Sequence, residues 1–291
     1  MNHLCIGSAN FDQKYGIKNV KNISNKDIEK IITHSFNNDI YYIDTAPTYG
    51  KAQSKIGDIL TKHSLNNKAK CISKIDHNID LNCIDSLKIS IKNSLNELQI
   101  NSLWGLLLHR VPDNISVEFL ELITYLKKEN YIQKFGLSIY DPSDAIFYAE
   151  KDYIDIIQVP FNCLDRRLID NNFFKTCSEN NVTPIIRSIY LQGALLMSEN
   201  EINNSKLVWA KKEFKIFRTF CEKNNFNPAA MCLQSIDRYV DNSIIIMGIN
   251  SFDEYSKNFT FFKNKDNHTI IQEWWNNLPF YSNKLLNPSE W

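Results

Sequence analysis

Asp44, Tyr49, Lys74 and His109 are polar residues of four kinds, and each stands at or just beyond the end of a short apolar run. Asp44 follows Ile40-Tyr41-Tyr42-Ile43 and opens the segment IDTAPTYGKAQSKIG, in which Tyr49 and Gly50 come next among the chemically informative residues. Lys74 ends CISK, and His109 ends SLWGLLLH. A phenol with a pKa of about 10 is a reluctant acid at neutral pH. A neighbouring ammonium stabilises the phenolate and lowers that value, and Lys74 is expected to do this for Tyr49. Asp44 would hold the ammonium charged and in place. His109 would donate to a substrate carbonyl and orient it. Such a set protonates a developing alkoxide, or takes the proton back in reverse. The carbon half of a carbonyl reduction needs a hydride that no side chain supplies, so a nicotinamide cofactor is implied.

Taken singly, each residue has an ordinary reading. Asp44 before Thr45 suits a helix cap or turn, Tyr49-Gly50 a turn, Lys74 a surface lysine, and His109 a satisfied core histidine. Together they fall at the ends of consecutive strand-like runs. Eight such runs are expected, over 3–8, 40–44, 71–75, 102–109, 134–138, 155–161, 184–189 and 243–249. Most are unbroken Ile, Leu and Val without polar alternation, as in strands covered on both faces. Helical patterns fill most of the gaps. Ser24-Asn25-Lys26-Asp27 starts one like a capping box, and Asp80–Leu98, Val117–Tyr131, 205–226 and Asp253–Phe262 continue the series. Asp141-Pro142-Ser143 and Pro228 start two more, with proline accepted in the first turn. The alternation predicts a (β/α)8 TIM barrel in one domain over 1–291, in which strand C-termini line the active site. A doubly wound dinucleotide fold is disfavoured, because IGSANFDQKYG after the first run lacks G-x-G-x-x-G. The tail from about 265 carries Trp274, Trp275, Phe280, Tyr281 and Trp291, aromatics expected to pack on the body.

The composition sets limits. The chain has 291 residues, 43% of them hydrophobic, enough for a large core, and its 33 basic residues balance its 33 acidic ones. Nothing basic enough for nucleic acid or a membrane surface stands out. Seven cysteines, odd in number and without CxxC, suggest reduced thiols in a cytoplasmic protein. MNHLCIGSAN lacks a charged region followed by a long apolar stretch, so a signal peptide is not expected, and no apolar run approaches bilayer length. A metal-dependent barrel hydrolase would need clustered histidines and carboxylates, whereas the six histidines are scattered without H-x-H, so no metal site is expected.

The chain resembles the aldo-keto reductases. IDTAPTYGKAQSKIG is similar to that family's IDTA…YG…S…IG signature, with Gln53 where Glu often stands; LLLHRVP, FGLS and IIQVPFN are similar to its fourth-, fifth- and sixth-strand motifs. The resemblance implies a (β/α)8 barrel, reduction of aldehydes and ketones, NADPH as cofactor, and Asp44, Tyr49, Lys74 and His109 as the catalytic tetrad. It also implies contacts to the nicotinamide end from Ser138, Gln158 and Asn162. RSIYLQG resembles a bacterial subgroup, with Ser188 at the nicotinamide-stacking position. GINSFDEYSKN is similar to the cofactor-binding end: Gly248 and Ser251 would approach the phosphates, and Glu254 and Asn258 the adenine. Ile139 stands where Asn is common, and Asn250 where an arginine often clamps the 2′-phosphate, which leaves NADH as an alternative. The expected partner is a small carbonyl compound, a sugar or sugar derivative. Candidate pocket residues are Phe11, Tyr15, Arg110 and Tyr190, with Arg187, Met197 and Trp209 also near loops. A cofactor-binding regulatory subunit with little turnover is the alternative role on this fold. The oligomeric state is left open.

Overall fold

Each of the eight apolar runs forms a strand: β1 (His3–Gly7), β2 (Tyr42–Asp44), β3 (Lys70–Ile75), β4 (Leu103–Leu108), β5 (Ile132–Ser138), β6 (Ile156–Pro160), β7 (Thr183–Arg187) and β8 (Ile244–Gly248). In the computed structural model, which describes residues 3–13, 16–17, 23–112, 114–264 and 268–291, every strand pairs in parallel with its sequence neighbours. The last, β8, returns to β1 and closes the barrel. The fold is a single-domain (β/α)8 barrel, as the alternation predicts.

The two faces of the sheet have different jobs. A small buried cluster fills the lumen: Cys5, Tyr42, Ile72, Leu107, Ile156, Ile185, Ile244 and Ile246, joined by Trp104. The Tyr42 and Trp104 rings meet edge-to-face at 4.9 Å, near the N-terminal ends of their strands. Side chains alternate between faces with period two. The residue two places after a lumen residue therefore also faces inward, one layer nearer the C-terminal mouth. Tyr42 leads to Asp44, Ile72 to Lys74, Leu107 to His109, Ile156 to Gln158, and Ile185 to Arg187. Polar groups thus gather at the mouth because the apolar layer below them fixes the parity of each strand.

The outer face is covered by helices. Chief among them are α1 (Asn25–Phe36), α2 (Ala52–Lys62), α3 (Ile84–Leu98), α4 (Val117–Lys128) and α5 (Pro142–Ala149). The gap between β6 and β7 holds two short helices, α6 (Arg167–Asp170) and α7 (Phe173–Glu179). Another short helix, α8 (Glu199–Asn203), follows β7; α9 (Lys211–Lys223) and α10 (Pro228–Tyr239) come before β8, and α11 (Phe252–Lys263) after it. Caps match the sequence: Ser24 accepts from the Asp27 amide, Ser116 from Phe119, and Asp141 from Ser143.

Two expected helices differ in extent. The Asp80–Leu98 pattern becomes helical only at Ile84, because the Asp80 carboxylate accepts from the backbone and side chain of Asn82 and holds a turn instead. The 205–226 pattern is a short 3-10 turn at Val208–Ala210 followed by α9, since the Ser205 hydroxyl accepts from the Leu207 amide and competes with helix there. In the tail, α12 (His268–Asn276) packs as expected, with Trp274 donating to the Cys163 carbonyl at 2.6 Å and Trp275 stacked on Phe161 at 5.8 Å, whereas Phe280 is exposed, against expectation.

The closing IG of the motif has a packing reason. A Cβ on Gly57 would overlap the carbonyl oxygen of Glu97, so α2 and α3 approach closely only over a glycine. Alanine favours a helix interior over glycine by about 1 kcal/mol. The opposing overlap is with rigid backbone, and overpacking of this kind costs about 1–3 kcal/mol. Gly57→Ala is therefore expected to lower the unfolding free energy in a urea titration. A rise would mean that the helices can part without penalty.

Candidate active site

Asp44 and Lys74 form the floor of the site. Lys74 Nζ donates to both carboxylate oxygens of Asp44, at 2.8 and 2.9 Å, and to the Thr45 carbonyl at 3.1 Å. Gln158 Nε2 also donates to Asp44 Oδ1 at 2.8 Å, and Ser138 Oγ contacts Gln158 Oε1 at 3.3 Å. Both members of the ion pair are buried, with side-chain exposures of 1% for Lys74 and 7% for Asp44. Burial opposes the lysine charge, but Asp44 and Tyr49 outweigh it and hold the Lys74 pKa above its ordinary value. The ammonium stays charged.

Tyr49 reaches the same point from the loop after β2. Gly50 adopts a left-handed φ of 61°, a conformation glycine takes without strain. The turn is pinned from the first loop: Asp12 accepts from the Lys51 amide at 2.9 Å and from Lys55 Nζ at 2.6 Å. Lys74 Nζ then lies 5.1 Å from the centre of the Tyr49 ring. The His109 ring stands edge-on to Tyr49 at 6.3 Å between centroids.

One electrostatic expectation is corrected. The Tyr49 pKa is raised, not lowered: burial pushes it up, Lys74 pulls it down, and Asp44 pushes it up again. Burial outweighs the pull of Lys74, and Asp44 offsets part of that pull. The phenol is a fully protonated donor at neutral pH. His109 goes the other way, to about 4, first through burial and then through the Lys74 charge. It is therefore a neutral imidazole in the physiological range, and its Nδ1 is buried without a partner among the described residues.

The His109 shift has a consequence for stability. Well above the ordinary histidine value of 6.5, the group is neutral in both folded and unfolded chains. As pH falls from 6.5 towards about 4, the unfolded chain takes up a proton that the folded site refuses. Stability should fall across that window, and His109→Gln should remove this part of the fall. Urea unfolding at several pH values would test it; parallel profiles for the two proteins would refute the assignment.

A cavity of about 350 Å3 opens above this floor, with Asp44, Tyr49 and Gln158 on its wall. Ser188, Tyr190, Gly248, Asn250 and Glu254 line it as well. Ser251 caps α11, accepting from the Glu254 amide, and Asn250 Nδ2 donates to Glu254 at 3.0 Å. Asn162 and Asn258 are buried and do not line the cavity; the Nδ2 of each has no partner among the described residues. Gly248 leaves open space where a side chain would stand. Ile139 is fully buried.

Four pocket expectations are corrected. Phe11 is fully buried in the outer core, because its amide donates to Ser8 and turns the loop inward. Arg110 is exposed and absent from the cavity wall, since it follows the inward His109 and takes the opposite parity. Met197 is core and Trp209 is surface, so neither reaches the cavity. Tyr15 lies outside the described residues.

Sequence reasoning missed Asn10, Gln192 and Gly193, all on the cavity wall. Asn10 donates to the Ile249 carbonyl and to Asn250 Oδ1, the latter at 3.1 Å, and so ties the loops after β1 and β8 together. Its signal was its place just past the end of the first strand.

The profile of the aldo/keto reductase family matches residues 3–276. The chain belongs to this family. A search of curated proteins finds no match. Among solved structures, the aldo-keto reductase AKR11C1 from Bacillus halodurans, in its holo form, is 18% identical over 94% of this chain and 91% of that one, with a TM-score of 0.72. A protein from Pseudomonas aeruginosa described as an aldo-keto reductase is 17% identical over 89% of this chain and 88% of that one, with a TM-score of 0.63. At such identities the likeness is one of fold. As an aldo/keto reductase the protein is an oxidoreductase. Among the described residues, no helix is long and apolar enough to cross a membrane.

Proposed function

We propose that this aldo/keto reductase converts an aldehyde or ketone to an alcohol with NADPH, NADH being the alternative, and that Tyr49 is the general acid. The observation that carries the reading is the convergence of Asp44, Lys74, Tyr49 and His109 at one point, with Asp44 and Tyr49 on the cavity wall and Lys74 and His109 packed against them. When bound, the nicotinamide supplies the hydride. Gly248 and Ser251 would hold the phosphates at the start of α11, Glu254 and Asn258 the adenine, and Ser138, Gln158, Asn162 and Ser188 the nicotinamide end. The open space over Gly248 and the partnerless amides of Asn162 and Asn258 support this fit.

The chain's own part is proton delivery. Neutral His109 donates to the carbonyl oxygen and orients it towards Tyr49. As that oxygen gains alkoxide character it becomes a stronger base than phenolate, so a phenol with a raised pKa still gives up its proton. The buried Lys74 charge stabilises the phenolate left behind. Asp44 keeps Lys74 charged and fixed, and Gln158 keeps Asp44 fixed. The substrate we propose is polar, a sugar or sugar derivative, in a reducing cytoplasm. Titration with NADPH and NADH, followed by protein fluorescence, tests the cofactor assignment. Binding of neither nucleotide would overturn it, and turnover of apolar aldehydes only would overturn the sugar reading.

A further inference from the structure

One cation on the cavity wall has no part in the proton-transfer set. Arg187 ends β7 and faces inward by the same parity as Asp44 and Lys74, because Ile185 two places earlier belongs to the lumen cluster. Its guanidinium lies over the Tyr140 ring, with Cζ 4.0 Å from the ring centre. Nη1 reaches Ser188 Oγ only at 3.4 Å, a weak contact, and the buried Nη2 atom has no partner among the described residues. Among the described residues no carboxylate pairs with it.

A half-buried guanidinium with one nitrogen cut off from solvent and no anion beside it is costly, since charged groups withdrawn from water are normally paired. The nearby acids are committed elsewhere. Asp44 is held by Lys74 and Gln158, and Glu254 accepts from Asn250 at the start of α11. Lys74 and Asp44 cancel, while Tyr49 and His109 are neutral, so Arg187 leaves this end of the cavity with a net positive charge. That charge is felt at both Tyr49 and His109, the two groups that must meet the carbonyl.

The backbone after Arg187 is also unusual. Ser188, Leu191 and Gln192 hold left-handed φ values of 61°, 50° and 54°. Each costs about 1 kcal/mol or more outside glycine. The Gln192 carbonyl accepts from Ile17 at 3.1 Å, which ties this turn to the first loop. The chain sustains local strain to keep the residues after Arg187 on the cavity wall.

We propose that Arg187 anchors an anionic group on the substrate, so that the carbonyl compound reduced here carries a carboxylate or a phosphate. The planar fork of the guanidinium suits both groups, and the stacked Tyr140 ring holds it ready. The proposal rests on the reductase reading and narrows its substrate.

Two matched pairs of probes test it and separate the sources: succinic semialdehyde against butanal for the carboxylate, and glyceraldehyde 3-phosphate against glyceraldehyde for the phosphate. Within the fitting pair, kcat/KM should favour the anionic member by about tenfold or more, and Arg187→Met should abolish that preference while Arg187→Lys restores part of it. No preference in either pair would overturn the proposal, as would a preference that survives Arg187→Met. An unchanged preference with a weakened cofactor Kd would assign Arg187 to the cofactor instead. A calorimetric titration of the free protein with succinate and with inorganic phosphate needs no turnover. Binding lost in Arg187→Met supports the anion site even if no aldehyde is reduced, an outcome that would refute only the reductase reading. Binding equal in both proteins, or absent from both, would overturn the site itself.

Discussion

Tyr49→Phe should abolish nearly all turnover while leaving cofactor binding and folding intact. The substitution removes one hydroxyl and keeps the ring that packs beside Lys74 and His109. Loss of a positioned general acid lowers rates by about 10²–10⁴-fold. Loss of one hydroxyl that opens to a cavity changes stability by only about 1 kcal/mol. The two effects are therefore separable: kcat falls by orders of magnitude, while the fluorescence-derived Kd for the nucleotide and the urea midpoint stay close to those of the parent. The raised phenol pKa and the depressed imidazole pKa add a second expectation, since neither group titrates near neutrality. In the reductive direction kcat should be nearly level across the neutral range. Turnover retained in Tyr49→Phe would mean that the proton comes from elsewhere, His109 first among the candidates.

The barrel and the floor of its site were legible because both depend on local pattern. Unbroken Ile and Leu runs mark strands buried on two faces, and a polar residue at the end of such a run must lie at the mouth. Asp44, Lys74 and His109 satisfy this rule without knowledge of loop geometry. Arg110 and Arg187 looked equivalent as arginines near strand ends. Counting by two from the lumen residues separates them, since Ile185 sends Arg187 inward while Leu107 and His109 send Arg110 out. Loops were harder. The Phe11 position depends on one backbone hydrogen bond to Ser8, and the turn after β7 on left-handed residues that no composition rule predicts. The direction of the Tyr49 shift was hidden for another reason. It depends on how completely Asp44 cancels Lys74 and on the depth of the phenol, and both are properties of the folded site.

That cancellation predicts a second large effect. Lys74→Met would leave the Asp44 carboxylate buried, with Gln158 as its remaining side-chain donor. Breaking one side of a buried ion pair costs about 3–5 kcal/mol, because the stranded charge keeps its desolvation penalty and loses its attraction. Lys74→Met should therefore unfold at a clearly lower urea concentration than the parent. Adding Asp44→Asn removes the stranded charge, and the double variant should recover most of the loss, since a neutral pair of similar volume is often as stable as the ion pair it replaces. Activity should not recover, because the double variant has no cation to stabilise the Tyr49 phenolate. Stability regained without turnover would show that the pair is kept for its electrostatics at Tyr49, at some expense to the fold. A single variant as stable as the parent would mean that water reaches Asp44. A double variant no more stable than the single would mean that Lys74 acts mainly by filling space.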